Sequence, residues 1–180
     1  MIIALLGFVA TVNPAAAALA LVRDRRTDRP RSVTAGVAVA AAVLVALAAA
    51  ADPILDLLDI NLGTYRLGAG VVVAVAGLRW LVAGAAPACE EPDEDRRLAG
   101  FVAFPVLLTP GAVVLAVSVG AEHGWLEAAV GIVVAVVLGG LGLYLRRSMP
   151  HLFMAGLVRM LGAAATVLGV VIAVDGVRTL

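Results

Sequence analysis

Residues 65–86 read Tyr-Arg-Leu-Gly-Ala-Gly-Val-Val-Val-Ala-Val-Ala-Gly-Leu-Arg-Trp-Leu-Val-Ala-Gly-Ala-Ala. As an α-helix rising about 1.5 Å per residue, this stretch reaches about 33 Å, enough to cross the hydrocarbon core of a bilayer. Lipid offers the backbone no hydrogen-bond partners, so a spanning segment is a helix or a strand of a closed barrel. Period-two alternation is absent and Ala, Leu and Val dominate, which selects the helix. Gly70, Gly77 and Gly84 recur every seven residues and keep one helix face bare, as close packing inside a membrane requires.

Outward from this stretch the pattern returns once. Gly162, Gly169 and Gly176 carry the same spacing, and each series follows an arginine, Arg66 or Arg159. The fragment Gly-Phe-Val-Ala also occurs twice, at 7–10 and 100–103. The chain therefore reads as a duplication. Apolar runs at 2–22, 33–51, 65–86, 98–119, 125–145 and 154–175 predict six transmembrane helices in an all-α polytopic membrane protein. Three spans per half force the second half to enter upside down, giving two inverted three-helix repeats. The first repeat is expected at 1–86 and the second at 98–180, with an acidic connecting loop at 87–97.

Composition agrees with this reading. Of 180 residues, 63% are hydrophobic and 14% charged, with a mean hydropathy of +1.08. A soluble domain sits nearer half apolar and about a quarter charged. The Met1–Val22 run lacks a basic leader and a cleavage segment, and so reads as a first span rather than a signal peptide. The 13 basic residues balance 13 acidic ones, and no basic aromatic segment suits nucleic acid. Cys89 stands alone in a loop, which excludes an internal disulfide. Asp52-Pro53 reads as an N-cap with proline at the first helical position, opening a short interfacial helix around Ile54–Leu58.

Arginines gather in the loops after spans one, three and five: Arg23, Arg25, Arg26, Arg29, Arg31, Arg96, Arg97, Arg146 and Arg147. Positive charge marks the cytoplasmic side, so both chain termini are expected outside the cytoplasm in a multi-pass protein of the cell (inner) membrane.

Two spans are broken. The first contains Thr11-Val12-Asn13-Pro14, and the fourth contains Pro105 and then Thr109-Pro110-Gly111. Each proline removes a backbone donor and pushes on the carbonyl four residues back. Mid-membrane breaks persist only where they face protein or water. A helix restarting after such a break offers free amides and its positive dipole end to an anionic group. Thr11, Asn13, Pro14, Pro105, Thr109, Pro110 and Gly111 are therefore the candidate substrate-binding residues, with Asn13 and Thr109 expected to face one shared cavity. Gly70, Gly77, Gly84, Gly162, Gly169 and Gly176 are the candidate helix-packing residues. Arg66 and Arg159 are expected at opposite ends of the bundle. Asn61 and Thr64 are placed to cap span three, and Thr166 to bond its own helix.

No mid-membrane carboxylate suits a proton relay. His123 and His151 both fall in loops, with no metal-ligand cluster, catalytic residue or cofactor motif beside them, so an enzyme is not expected. The sequence names no coupling ion. Three classes stay open on these residues: a transporter of a small polar solute, a non-transporting scaffold or partner subunit, and a channel.

The motifs in their order resemble the MarC family. That family's first span carries Asn/Asp-Pro, here Asn13-Pro14. Its fourth carries proline, three residues, then Gly-Pro-Gly, here Pro105 and Thr109-Pro110-Gly111. Its third carries Phe-Arg-Ile-Ala-Gly-Gly, here Tyr65-Arg66-Leu67-Gly68-Ala69-Gly70, and its last Arg-Ile-Met-Gly, here Arg159-Met160-Leu161-Gly162, ending near Asp175-Gly176. Departures are Ala16 for a glycine, Leu19 for a proline and Thr109 for the first glycine of Gly-Pro-Gly. The resemblance implies a six-span inner-membrane protein related to LysE-superfamily small-molecule exporters. It also implies a secondary transporter of a small neutral or zwitterionic solute such as a neutral amino acid. Dimerisation through an alanine-glycine face is a further expectation.

Overall fold

The computed structural model describes residues 2–16, 30–84, 107–145 and 151–180. The described residues form helices throughout. In chain order these are α1 (Ile2–Val12), α2 (Pro30–Ala49), α3 (Ala51–Leu58), α4 (Leu62–Ala83), α5 (Pro110–His123), α6 (Trp125–Leu145) and α7 (His151–Arg178). Past Asn13, residues 14–16 resume a helix. The lengths of α4 and α7 follow from their residues: few breakers interrupt either run, and each keeps a bare face for a partner.

α4 and α7 lie antiparallel and form the most extensive contact among the described residues. Gly63 opposes Gly176, Gly70 opposes Gly169, and Gly77 opposes Gly162. A Cβ on Gly70, Gly77, Gly162 or Gly169 would sit 2.5–2.8 Å from the opposing glycine's carbonyl oxygen. The backbones touch directly, and any side chain in this seam would push them apart.

The seam has a regular geometry. A Cβ at Gly70 would meet the Gly169 carbonyl and the Ala173 amide, while one at Gly162 would meet the Gly77 carbonyl and the Leu81 amide. Adding 92 to each residue of one helix and subtracting it from the other exchanges these two contacts. Gly84 stands outside the seam. It follows α4 as its C-cap with φ 73°, and a Cβ there would meet nothing within 4 Å. The seam is carried on by Gly63 at the opposite end instead.

The rest of the bundle wraps around α1 and α5. α1 packs on α6, α7 and α5, and α5 on α4, α2, α6 and α3. The core between them includes Phe8, Val12, Leu44, Val73, Leu107, Ala112, Leu115, Ala116, Ile132 and Val158. Phe8 lies over Gly131, where a Cβ would come within 2.8 Å of its ring. On the outside, Leu6, Val75, Leu78, Val137, Met160, Val167 and Val171 are exposed, as a lipid-facing surface would be.

Among the described residues two helices, Leu62–Ala83 and Leu152–Arg178, are long and apolar enough to cross a membrane, and α2 with α3 makes a third if that pair, bent by 59°, is one span. Shorter apolar helices cover Ala4–Ala16 and Trp125–Leu141. The break at Asn13 divides the predicted first span, and much of the predicted fourth lies outside the described residues.

Local expectations fare differently along the backbone. Asn61 caps α4, its side-chain oxygen accepting from the Thr64 amide at 2.7 Å. Thr166 donates to its own helix at the Gly162 carbonyl, 2.9 Å away. Asp52, by contrast, is not an N-cap. α3 begins earlier, at Ala51 after Ala50, with no side-chain cap. Backbone bonds run nearly through the bend, from the Ala50 amide to the Ala46 carbonyl at 2.9 Å and from the Ile54 amide to the Ala50 carbonyl at 3.0 Å. Pro53 falls in the first turn, where a missing amide costs little. His123 and His151, both expected in loops, are helical instead, His123 ending α5 and His151 opening α7, and the turn after α5 is Gly124, with φ 85°.

Candidate functional site

The two breaks share a kind of capping bond but differ in backbone conformation. Asn13 takes φ 44°, a left-handed conformation that asparagine tolerates better than most residues. Its side-chain oxygen accepts from the Ala16 amide at 3.0 Å. Thr109 takes an extended conformation and its hydroxyl accepts from the Ala112 amide at 3.1 Å. Each polar residue thus caps the helix that restarts at the next residue by holding the amide three residues on, with proline in the first turn, where no intrahelical acceptor is lost.

The breaks also touch. Thr109 donates its hydroxyl to the Thr11 carbonyl at 2.9 Å, a buried bond between residues 98 apart. The Asn13 amide bonds back to the Val9 carbonyl at 3.2 Å, and beyond it the helical ladder is interrupted by Pro14. Crossing to Thr109 satisfies a carbonyl near that interruption. Asn13 donates its side-chain NH2 to the Val158 carbonyl on α7 at 3.3 Å. Thr11, Asn13 and Thr109 are all buried among apolar side chains. Buried polar groups of this kind stay only where they find partners.

Some details depart from expectation. The Thr11 hydroxyl turns to its own helix, donating to the Gly7 carbonyl at 2.8 Å, so its contribution at the break is its backbone oxygen. The amides of Ala16 and Ala112, two of the donors expected to be free, are taken by the caps. That leaves Ala15 and Gly111 as the first-turn amides without an intrahelical acceptor. Gly111 lies beside the first break: a Cβ there would meet Thr11 Cγ2 at 3.5 Å and Ala76 Cβ at 3.7 Å. Pro105 lies outside the described residues.

Sequence reasoning did not single out Val158, Ala76 or Gly139. Val158 acts through its carbonyl, which leaves no signature in a residue name. Gly139 is where α6 passes both breaks, since a Cβ there would meet Leu107 and Val12 at 3.9 Å and Pro14 at 4.0 Å. Its place in the Gly139-Gly140 doublet was the available signal. Arg66 and Arg159 lie toward opposite ends of the α4–α7 pair, and Arg159, though next in the chain to the Val158 carbonyl that Asn13 bonds, is exposed. Arg66 bonds Asp175 near the end of α7, whereas Arg159 precedes Gly162, which opposes Gly77. No group of His, Cys, Asp or Glu suited to a metal ion occurs among the described residues.

Long apolar helices, a backbone-tight seam and paired breaks whose polar residues are buried define an all-α polytopic membrane protein. The chain matches the MarC family of integral membrane proteins over residues 1–180, and it belongs to that family. Members of that family are not known enzymes. A curated relative, UPF0056 membrane protein PH0214 of Pyrococcus horikoshii, is 27% identical over 141 residues, covering 74% of this chain and 70% of the relative. No solved structure matches the chain.

Proposed function

We propose that this chain is a secondary transporter for a small neutral or zwitterionic solute, such as a neutral amino acid. It is read as six spans in two inverted repeats, 1–86 and 98–180, joined by 87–97, in the cell membrane. The observation that carries the reading is the bond from the Thr109 hydroxyl to the Thr11 carbonyl, which joins two helix breaks 98 residues apart in the protein interior. A static bundle has no need to bring two interrupted ladders together. A solute site does, because it needs first-turn amides for a carboxylate and unladdered carbonyls for an ammonium group. The exchange of contacts across the glycine seam further supports the inverted repeat. Thr11, Asn13, Pro14, Thr109, Pro110 and Gly111, with Pro105, are the residues assigned to the site.

Purified protein in liposomes, preloaded with an unlabelled neutral amino acid and given the labelled one outside, tests this. Saturable counterflow is expected. Rapid flux that does not saturate would make the protein a pore, and no flux for any small neutral or zwitterionic solute would leave a scaffold.

A further inference from the structure

At the end of the bundle where α4 begins, Arg66 stands between two carboxylates on two different helices. It reaches Glu122 at the end of α5 at 3.0 Å and Asp175 near the end of α7 at 2.5 Å. The guanidinium side chain is only 13% exposed. Its Nε is buried with no hydrogen-bond partner. A buried donor without a partner bears a desolvation penalty that opening to water relieves.

The two ties are not equivalent. α4 and α7 are already fastened along the glycine seam, so the Asp175 tie adds little to their placement. α5 has no such seam with α4. Among the described residues its other polar link to α4 is the long Tyr65 hydroxyl contact to the Val114 carbonyl, at 3.4 Å, nearer the Thr109 end of α5. α5 has a helix break at both ends, and near Glu122 it rests on α2, where Gly120 packs directly against the Ala48 backbone. Beyond His123 the chain turns at Gly124 alone, and before Pro110 lies the break at Thr109. Its 14 residues make a rod about 21 Å long. Glu122 sits at one end of that rod and the bond to Thr11 at the other.

We propose that the pair of Arg66 with Glu122 is a latch that closes this end of the bundle and, through α5, fixes the Thr109 break against the Thr11 break. Its role in turnover rests on the transporter reading; its mechanical role does not. Releasing Glu122 lets α5 rock on the Gly120–Ala48 contact, which lies between Glu122 and the Thr109 break, and draws the Thr109 hydroxyl off the Thr11 carbonyl. Arg159, toward the other end of the seam, has no acidic partner among the described residues, so the latch is one-sided in this conformation.

Hydrogen–deuterium exchange on the purified full chain in nanodiscs tests the latch without a transport assay. Glu122→Gln and Arg66→Gln should each speed exchange of the α5 amides at least threefold and leave α4 and α7 near the wild type. Asp175→Asn should leave all three helices near the wild type. Unchanged α5 exchange in Glu122→Gln overturns the proposal, and so does an Asp175→Asn variant that loosens α5 equally. If Arg66→Gln fails to fold, the two carboxylate variants decide alone. Counterflow on the same proteins is scored separately: a wild type inert to every solute defeats the transporter reading while the exchange pattern still judges the latch.

Discussion

At Asn13 one carboxamide meets two demands, a backbone φ of 44° and two hydrogen bonds, to the Ala16 amide and the Val158 carbonyl. These demands separate by substitution. Asn13→Gly keeps the left-handed conformation and loses the bonds, whereas Asn13→Leu loses the bonds and also forces a bulky residue into that region, a penalty of about 1–2 kcal/mol. Leucine should therefore be the less stable variant by about 1 kcal/mol in reversible unfolding in detergent, and equal stabilities would show that the backbone conformation is not as strained as φ implies. Both should lose solute binding. Thr109→Val keeps the shape of the side chain but removes a cap and the bond across the breaks. It should cost about 1–2 kcal/mol, the usual worth of a cap plus a buried acceptor left bare.

Among the elements, the α4–α7 seam makes the sharpest distinction between glycines two residues apart. Gly70→Ala would place a Cβ 2.5 Å from the Gly169 carbonyl oxygen, so the helices must separate along their length. A loss of about 1–3 kcal/mol is expected. Gly68→Ala meets nothing within 4 Å and gains helix propensity, so it should be neutral or stabilising by up to about 1 kcal/mol. Thermal unfolding of the two variants side by side checks the pair, and equal effects would mean that the seam is not this tight. Much of this element was legible in the sequence, because a seven-residue glycine spacing has little other use in an apolar helix. Gly84 was less so: it continues the spacing yet falls where the helix stops, and the spacing cannot tell a packing glycine from a cap. The bend at Ala50 was hidden for a different reason, since it falls in an alanine run without capping chemistry. The breaks themselves were legible through their prolines. Their mutual contact was not, because it depends on one backbone carbonyl.

For the molecule as a whole, sidedness follows from which ends meet. Arg66 begins α4, Glu122 ends α5 and Asp175 lies near the end of α7, and ion pairs bring all three together. In a six-span arrangement these positions belong to the loops after spans two and four and to the C-terminus, which share one side. Under that arrangement, with arginines crowding the other loops, the positive-inside rule would make that side the exterior. A reporter fused after Arg31 should then read cytoplasmic and one fused after Leu180 should read external. Both reporting the same side would break the odd-loop-inside arrangement.

The seam also bears on how the protein is made. Gly77 and Gly162 are 85 residues apart in the chain. At a synthesis rate on the order of 5–20 residues per second, α4 leaves the ribosome roughly 4–17 s before its partner exists. Throughout that interval its bare face lies open to any passing helix. Correct assembly then requires that lipid or an insertion factor shield α4 until the last helix arrives. A chain cut short before His151 would hold its first helices in the membrane with their best contact unmade, and quality-control proteases would meet it in that state.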